Sequence, residues 1–209
     1  MKIKVCGITQ VEQFKQLNEL GVDFVGFIFY PLSKRYAGES RFNQAELLRL
    51  QTQTKATAVF VNPTMDDIKN ASTQLPNIKI IQLHGNEDPL LCKHLQLKYE
   101  VIKAISIAPN TDLKTEINKY RNCCNYFLFD TATIQYGGSG QKFDWAIFKN
   151  QIIPKPFFLS GGIGIDDVNA IKKFTHPAFF GIDINSKFEI EPGIKNLNAI
   201  TEFIKLIKK

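Results

Sequence analysis

Eight short apolar runs, each followed by an amphipathic stretch, leave this chain very few folds. The runs fall at about 2–6, 24–29, 57–61, 78–83, 100–105, 125–129, 156–159 and 178–184. They are rich in Val, Ile and Phe with little alternation, which suits strands buried on both faces. Helical patterns lie between them. One covers 11–20, with Phe14, Leu17 and Leu20 on one face and Gly21 closing it, and another covers 44–50. Others follow Asp66-Asp67, Glu87-Asp88, Thr111-Asp112, Phe143-Asp144 and Asp166-Asp167, and a last helix is expected over 194–207. Acidic residues crowd the helix starts, where the macrodipole favours them. Such alternation predicts an α/β fold with a parallel sheet. Eight units close naturally into a (β/α)8 TIM barrel, with an open doubly wound sheet as the alternative. A chain of 209 residues is compact for a barrel. It still buries about 70% of its unfolded surface, so a single domain over 1–209 is expected.

Composition removes several functional classes. The net charge is +6, but arginines are few (Arg35, Arg41, Arg49, Arg121) and no basic run of five or more occurs. Nucleic-acid binding is therefore not expected, whereas a small anionic substrate would suit a positive field. No apolar stretch approaches the roughly 18 residues that cross a bilayer, so no membrane span is expected. The first residues, Met1-Lys2-Ile3-Lys4-Val5-Cys6, read as a strand with charges inside it, without the apolar centre of a signal peptide. The cysteines at 6, 92, 123 and 124 form no CxxC pair, and His84, His94 and His176 are scattered. Neither a zinc site nor a disulfide framework fits, and a reducing cytoplasm is the expected location.

Most runs stop at residues able to do chemistry. In parallel barrels the strand ends share one face, and that face carries the active site. Ser160-Gly161-Gly162 follows run seven, and Asp183-Ile184-Asn185-Ser186 ends run eight. Loops in those two positions commonly bind phosphate through backbone N–H groups, and glycine keeps side chains out of the way. Gly137-Gly138-Ser139-Gly140, in the long loop 131–142, either lends further N–H groups or forms a lid. It is no Walker loop, and Gly162-Ile163-Gly164 is no dinucleotide fingerprint, so a nucleotide cofactor is disfavoured. Cys6 ends run one and Asp130 ends run six, a thiol and a carboxyl suited to proton transfer in both directions. Arg35, in the long loop 30–42, offers a fork for a carboxylate, and His84 ends run four. Taken singly, Cys6 reads equally well as a core residue and Asp130 as a cap.

Together these segments closely resemble the phosphoribosylanthranilate isomerase family. The matching stretches are Lys4-Val5-Cys6-Gly7-Ile8-Thr9, Gly26-Phe27-Ile28-Phe29-Tyr30-Pro31 with Ser33 and Arg35-Tyr36, and Val59-Phe60-Val61-Asn62. Ile81-Gln82-Leu83-His84-Gly85, Asp130-Thr131 with Gly137-Gly138-Ser139-Gly140, Leu159-Ser160-Gly161-Gly162-Ile163 and Gly181-Ile182-Asp183 continue it to the end. The resemblance implies an Amadori rearrangement of N-(5′-phosphoribosyl)anthranilate to 1-(2-carboxyphenylamino)-1-deoxy-D-ribulose 5-phosphate, in tryptophan biosynthesis. It implies Asp130 as general acid, Cys6 as general base and Arg35 on the anthranilate carboxylate. His84 and the loops with Gly137, Gly138, Ser139, Gly140, Ser160, Gly161, Gly162, Asp183, Asn185 and Ser186 would hold mainly phosphate and ribose. No metal or organic cofactor is implied, and the expected state is a monomer or homodimer. The chain departs from the family at Lys34, where proline is usual, and at Lys187, where glycine is common.

Three rivals frame that expectation. The related histidine-pathway isomerase carries aspartate where this chain has Cys6. Indole-glycerol phosphate synthase would find a lysine in Lys103, but it has a long N-terminal extension. A non-catalytic phosphate-binding barrel would have no use for a thiol and a carboxyl across its mouth.

Overall fold

The computed structural model describes residues 1–38, 52–75, 78–131 and 144–209. Eight parallel strands pair in chain order: β1 (Lys2–Cys6), β2 (Phe24–Ile28), β3 (Lys55–Phe60), β4 (Ile80–Leu83), β5 (Glu100–Ile107), β6 (Tyr126–Thr131), β7 (Phe157–Leu159) and β8 (Phe179–Ile184). β1 pairs with both β2 and β8, setting Lys4 opposite Asp183, so the sheet closes on itself. The open-sheet alternative is thereby excluded. Around the barrel lie α1 (Val11–Glu19), α2 (Met65–Gln74), α3 (Pro89–Leu95), α4 (Leu113–Tyr120), α5 (Val168–Lys173) and α6 (Leu197–Lys208). Among the described residues no helix is long and apolar enough to cross a membrane.

Strand alternation divides the core into two shells. Phe24, Ile80, Ile102, Ala104, Leu128 and Phe158 fill the barrel interior, with Phe24 and Phe158 edge to face at 5.4 Å. Phe27, Ile81, Val101, Ile105, Phe127 and Phe129 point the other way and join the cluster shared with the helices. Further along the strands the inward residues turn polar: Lys4, Thr57, Gln82 and Asp183 are all buried. An apolar floor beneath a polar mouth leaves chemistry only at the strand ends.

The helix starts follow the caps that the sequence carries. Thr64 and Asp67 form a reciprocal box at the start of α2, and the Asp88 carboxylate accepts from Leu90 N at 2.7 Å at the start of α3. Each such cap is worth about 1 kcal/mol. Two expectations need correction. The stretch after Asp144 is a single 3₁₀ turn, Trp145–Phe148, not a full helix; it buries Phe148 and packs Trp145 partly against the core. The last helix begins at Leu197, capped by Asn196, whereas Ile194 and Lys195 pair as β10 (Ile194–Lys195) with β9 (Glu189–Glu191) across Pro192-Gly193. The proline–glycine pair forces a turn that the helical periodicity had hidden. The helix expected over 44–50 lies outside the described residues.

Lys103 reaches no pocket. Its fully buried ammonium donates to Glu87 Oε2 at 2.9 Å, Gly85 O at 2.7 Å and Leu83 O at 3.3 Å, in the shell between barrel and helices. Glu87 in turn accepts from the backbone N–H groups of Asn62 and Gly85. This clasp fixes the β4 loop on which His84 stands, and it removes the synthase rival's lysine from contention. A buried pair broken on one side strands the other charge, at a cost of about 3–5 kcal/mol. Lys103→Met is therefore expected to lower the melting temperature by roughly 10 °C. A calorimetric shift under about 3 °C would show that the clasp contributes little.

Candidate active site

The C-terminal strand ends bring the expected thiol and carboxyl to one rim. Cys6, the last residue of β1, is 5% exposed, and its sulfur lies beside the ammonium of Lys4 two residues earlier on the same strand face. Lys4 Nζ donates to Asp183 Oδ1 at 2.8 Å, and Ser160 Oγ donates to Asp183 Oδ2 at 3.4 Å. Asp183 also feels the charges of Asp130 and His84, so this buried pair connects β1, β7 and β8 to the opposite wall. Burial pushes the Cys6 thiol up, while Lys4 and Lys195 pull against that rise. Burial also raises Asp183, with Lys4 opposing; Lys4 itself is carried above the ordinary lysine value by Asp183 and Cys6 in spite of its burial.

On the far wall Asp130 and His84 are in contact. His84 Nε2 lies 3.2 Å from Asp130 Oδ2, and Gln82 Nε2 donates to His84 Nδ1 at 2.9 Å. A neutral imidazole that accepts at Nδ1 carries its proton at Nε2, directed at Asp130. The other carboxylate oxygen, Asp130 Oδ1, accepts from Thr131 N at 2.9 Å. Gly161 packs on the same pair in a left-handed conformation, φ +92°. A Cβ there would strike the Thr131 hydroxyl and come within 3.0 Å of Asp130 Oδ1. Glycine is the residue that lets the β7 loop close on the acid.

Arg35 stands at the rim but is already paired. Its Nε and Nη2 donate to the Glu189 carboxylate at 2.9 and 2.6 Å, and Lys195 Nζ donates to Glu189 Oε1 at 2.7 Å and to Asn185 Oδ1 at 2.7 Å. The guanidinium has five N–H donors, and this pairing takes one edge, leaving the Nη1–Nη2 edge for a second carboxylate. Glu189 is held below the usual carboxylate range, since Arg35, Lys195 and Gly193 N outweigh its burial. Burial lowers Lys195, with Glu189 opposing. Among the described residues two cations thus share one carboxylate, and one positive charge is left over beside Gly7. A Cβ on that glycine would lie 2.7 Å from Arg35 Cδ, 2.9 Å from Asn185 Oδ1 and 3.3 Å from Lys195 Nζ.

Of the residues expected in the site, Cys6, Arg35, His84, Asp130, Ser160, Gly161, Asp183 and Asn185 are brought together through these contacts. Gly162 follows in the β7 loop at φ +63°, and Ser186 opens a short 3₁₀ turn (Ser186–Phe188) after β8. The two loops adjoin, since the Lys187 Cβ lies 3.6 Å from where a Gly164 Cβ would be. Asp183 does not sit in a phosphate loop: it is inside β8 and turned onto Lys4, because a carboxylate repels phosphate and needs a cation when buried. Gly137, Gly138, Ser139 and Gly140 lie outside the described residues. Sequence reasoning missed Lys4, Gln82, Glu189 and Lys195. Lys4 was visible as a charge inside a buried strand, and Glu189 and Lys195 flank a proline–glycine turn. The other three cysteines are buried, and burial pushes Cys92 and Cys124 up to about 12, which suits packing rather than reaction.

Comparison with known proteins agrees with this arrangement. The family model of N-(5′-phosphoribosyl)anthranilate (PRA) isomerase matches residues 3–206. The N-(5′-phosphoribosyl)anthranilate isomerase of Parabacteroides distasonis is 42% identical over 209 residues, covering 99% of this chain and 93% of its own. The crystal structure of phosphoribosyl anthranilate isomerase from Thermotoga maritima superposes with a TM-score of 0.86 at 33% identity, over 100% of this chain and 98% of that one. A phosphoribosyl anthranilate isomerase in complex with reduced 1-(o-carboxyphenylamino)-1-deoxyribulose 5-phosphate superposes with a TM-score of 0.79 at 29% identity, with the same coverage. A closed barrel with thiol and carboxyl at its rim and a family match over nearly its whole length leave one assignment: the chain belongs to the N-(5′-phosphoribosyl)anthranilate isomerase family.

Proposed function

We propose that this protein carries out its family's Amadori rearrangement, of N-(5′-phosphoribosyl)anthranilate to 1-(2-carboxyphenylamino)-1-deoxy-D-ribulose 5-phosphate, with Asp130 as general acid and Cys6 as general base. The observation that supports the assignment is a closed barrel whose strands β1 and β6 carry the Cys6 thiol and the Asp130 carboxyl at their C-terminal ends, on one rim. Asp130 protonates the ribose ring oxygen. The C1′–O bond breaks, and the anthranilate nitrogen lone pair closes a C1′=N iminium. The Cys6 thiolate then takes the C2′ proton. The C–H electron pair forms C1′=C2′, and the iminium π pair returns to nitrogen, giving an enolamine. Loss of the enol proton and protonation at C1′ yield the ketone, so constitution changes without a change in composition. The Asp130 carboxylate takes the enol O–H proton and the Cys6 thiol returns its proton to C1′, so both groups end the cycle as they began it.

The substrate is anionic at both ends, and the site is built to match. The free Nη1–Nη2 edge of Arg35 takes the anthranilate carboxylate in a fork-to-fork pair, with Glu189 fixing the guanidinium plane from its other side. The adjoining loops after β7 and β8, with Gly161, Gly162 and Ser186, take the phosphate through backbone N–H groups. Gly137, Gly138, Ser139 and Gly140, outside the described residues, are read from the sequence alone as further phosphate donors. The unbalanced positive charge around Gly7 favours both the incoming carboxylate and the thiolate.

The test is the loss of fluorescence of freshly prepared phosphoribosylanthranilate with purified protein. Cys6→Ala and Asp130→Asn should each reduce kcat by about 10²–10⁴-fold while the circular dichroism spectrum stays unchanged. A folded variant that turns over at near the wild-type rate removes its residue from the mechanism. Arg35→Ala should raise KM by roughly 10–100-fold, the range of one lost charge-assisted pair, with a smaller effect on kcat. An unchanged KM would contradict the clamp. Because burial holds the Cys6 thiol up, kcat/KM should still be climbing as pH rises above neutrality. A rate that is flat or falling there would show that thiolate formation does not limit the base.

A further inference from the structure

The two proton transfers use neither Lys4 nor Asp183, yet both are fully buried under the mouth. A well-packed apolar pair would commonly be as stable or more so at such a position, so the ions call for a function. Their geometry supplies one. Lys4 and Cys6 share a face of β1, and Lys4 Nζ is held at 2.8 Å by Asp183 Oδ1, its register partner on β8. The ammonium also lies beside the Cys6 sulfur, close enough for its charge to act on the thiol. Gly26 on β2 makes that meeting possible: a Cβ there would lie 2.7 Å from Cys6 Sγ and 3.1 Å from Lys4 Nζ, so both tips occupy the space it leaves. The remaining charges around the sulfur are Asp183 from β8 and Lys195 from β10, with Arg35 and Glu189 beyond Gly7. Asp130 from β6 and His84 after β4 face Asp183 across the mouth.

We propose that Lys4 is the positioning residue for Cys6: its ammonium, anchored by Asp183, holds the sulfur at the rim and stabilises the thiolate that takes the C2′ proton. The inference rests on the reading of Cys6 as the base. Lys4 keeps its own protons throughout; only the S–H bond forms and breaks. Asp183 shares the ammonium with the sulfur, so it limits how far Lys4 favours the thiolate. The two partners therefore act on Cys6 with opposite sign. Removing Lys4 makes the thiolate harder to form, and removing the Asp183 charge makes it easier.

The opposite signs make the experiment decisive. The ultraviolet absorbance of the thiolate is titrated in the free enzyme, and the Cys6→Ala titration is subtracted to isolate Cys6. The subtraction also removes the other three cysteines, whose thiols burial raises as well. Lys4→Met should move the Cys6 midpoint to higher pH by about one unit or more, equivalent to about a tenfold smaller thiolate fraction. Lys4→Arg should restore most of it, and Asp183→Asn should move the midpoint the other way. The rising limb of kcat/KM should shift with the Lys4→Met titration. A folded Lys4→Met protein with an unmoved midpoint overturns the proposal, as does an Asp183→Asn midpoint that stays or rises. If Lys4→Met fails to fold, the Asp183→Asn titration decides alone. The two readings fail separately. Near-normal turnover of Cys6→Ala would sink the base assignment and leave the coupling measurable, whereas an inactive Cys6→Ala with an unmoved Lys4→Met midpoint sinks only the role of Lys4.

Discussion

The ion pair of Lys4 with Asp183 is the interaction on which the rest of this structure turns. It joins the first strand to the last, where the barrel closes; Lys4 lies beside the sulfur of Cys6, and Asp183 accepts from the hydroxyl of Ser160. Burying two charges is expensive, and a pair survives inside a protein only when its geometry and its hydrogen bonds are nearly complete. Here the completion comes from catalytic and loop residues. The same contacts that satisfy the pair also fix where the thiol can be, so stability and chemistry at this rim are one arrangement.

Charge is handled by sharing. Glu189 serves Arg35 and Lys195 together, and Asp183 serves Lys4 while facing Asp130 and His84. Neither carboxylate is left without a cation, but the Arg35 and Lys195 side keeps a surplus positive charge. On the proposed reading a doubly anionic ligand is drawn to that surplus, and its carboxylate would take the edge of Arg35 that Glu189 leaves. The small β9–β10 hairpin earns its place in the fold this way: it carries Glu189 and Lys195 to the rim and so orients the guanidinium from behind.

Much of this was legible in the residue string, because a parallel barrel writes its strands as eight apolar runs and its chemistry at their ends. Cys6, Asp130, His84 and Ser160 all stood at run ends, and the barrel brings them to one rim. What stayed hidden has physical causes. Lys4 showed only as a charge inside a strand, since no periodicity says that its partner is Asp183, almost a whole chain length away. Glu189 and Lys195 were masked because the pattern of α6 extends backward through Ile194, and only the turn at Pro192-Gly193 marks the true boundary. Lys103 illustrates the opposite error. A lysine on a barrel strand invites a catalytic reading, but alternation sends it outward to Glu87.

The claim at the centre is that a sulfur and a carboxyl approach one bound sugar from two sides. The most direct measurement is a crystal structure of this protein with the stable reduced product bound. Cys6 Sγ is then predicted within about 3.5 Å of C2′, and an Asp130 oxygen at roughly 2.6–3.2 Å from the former ring oxygen. A ligand lying with C2′ out of reach of the sulfur, or with Asp130 turned from the sugar, would contradict the account.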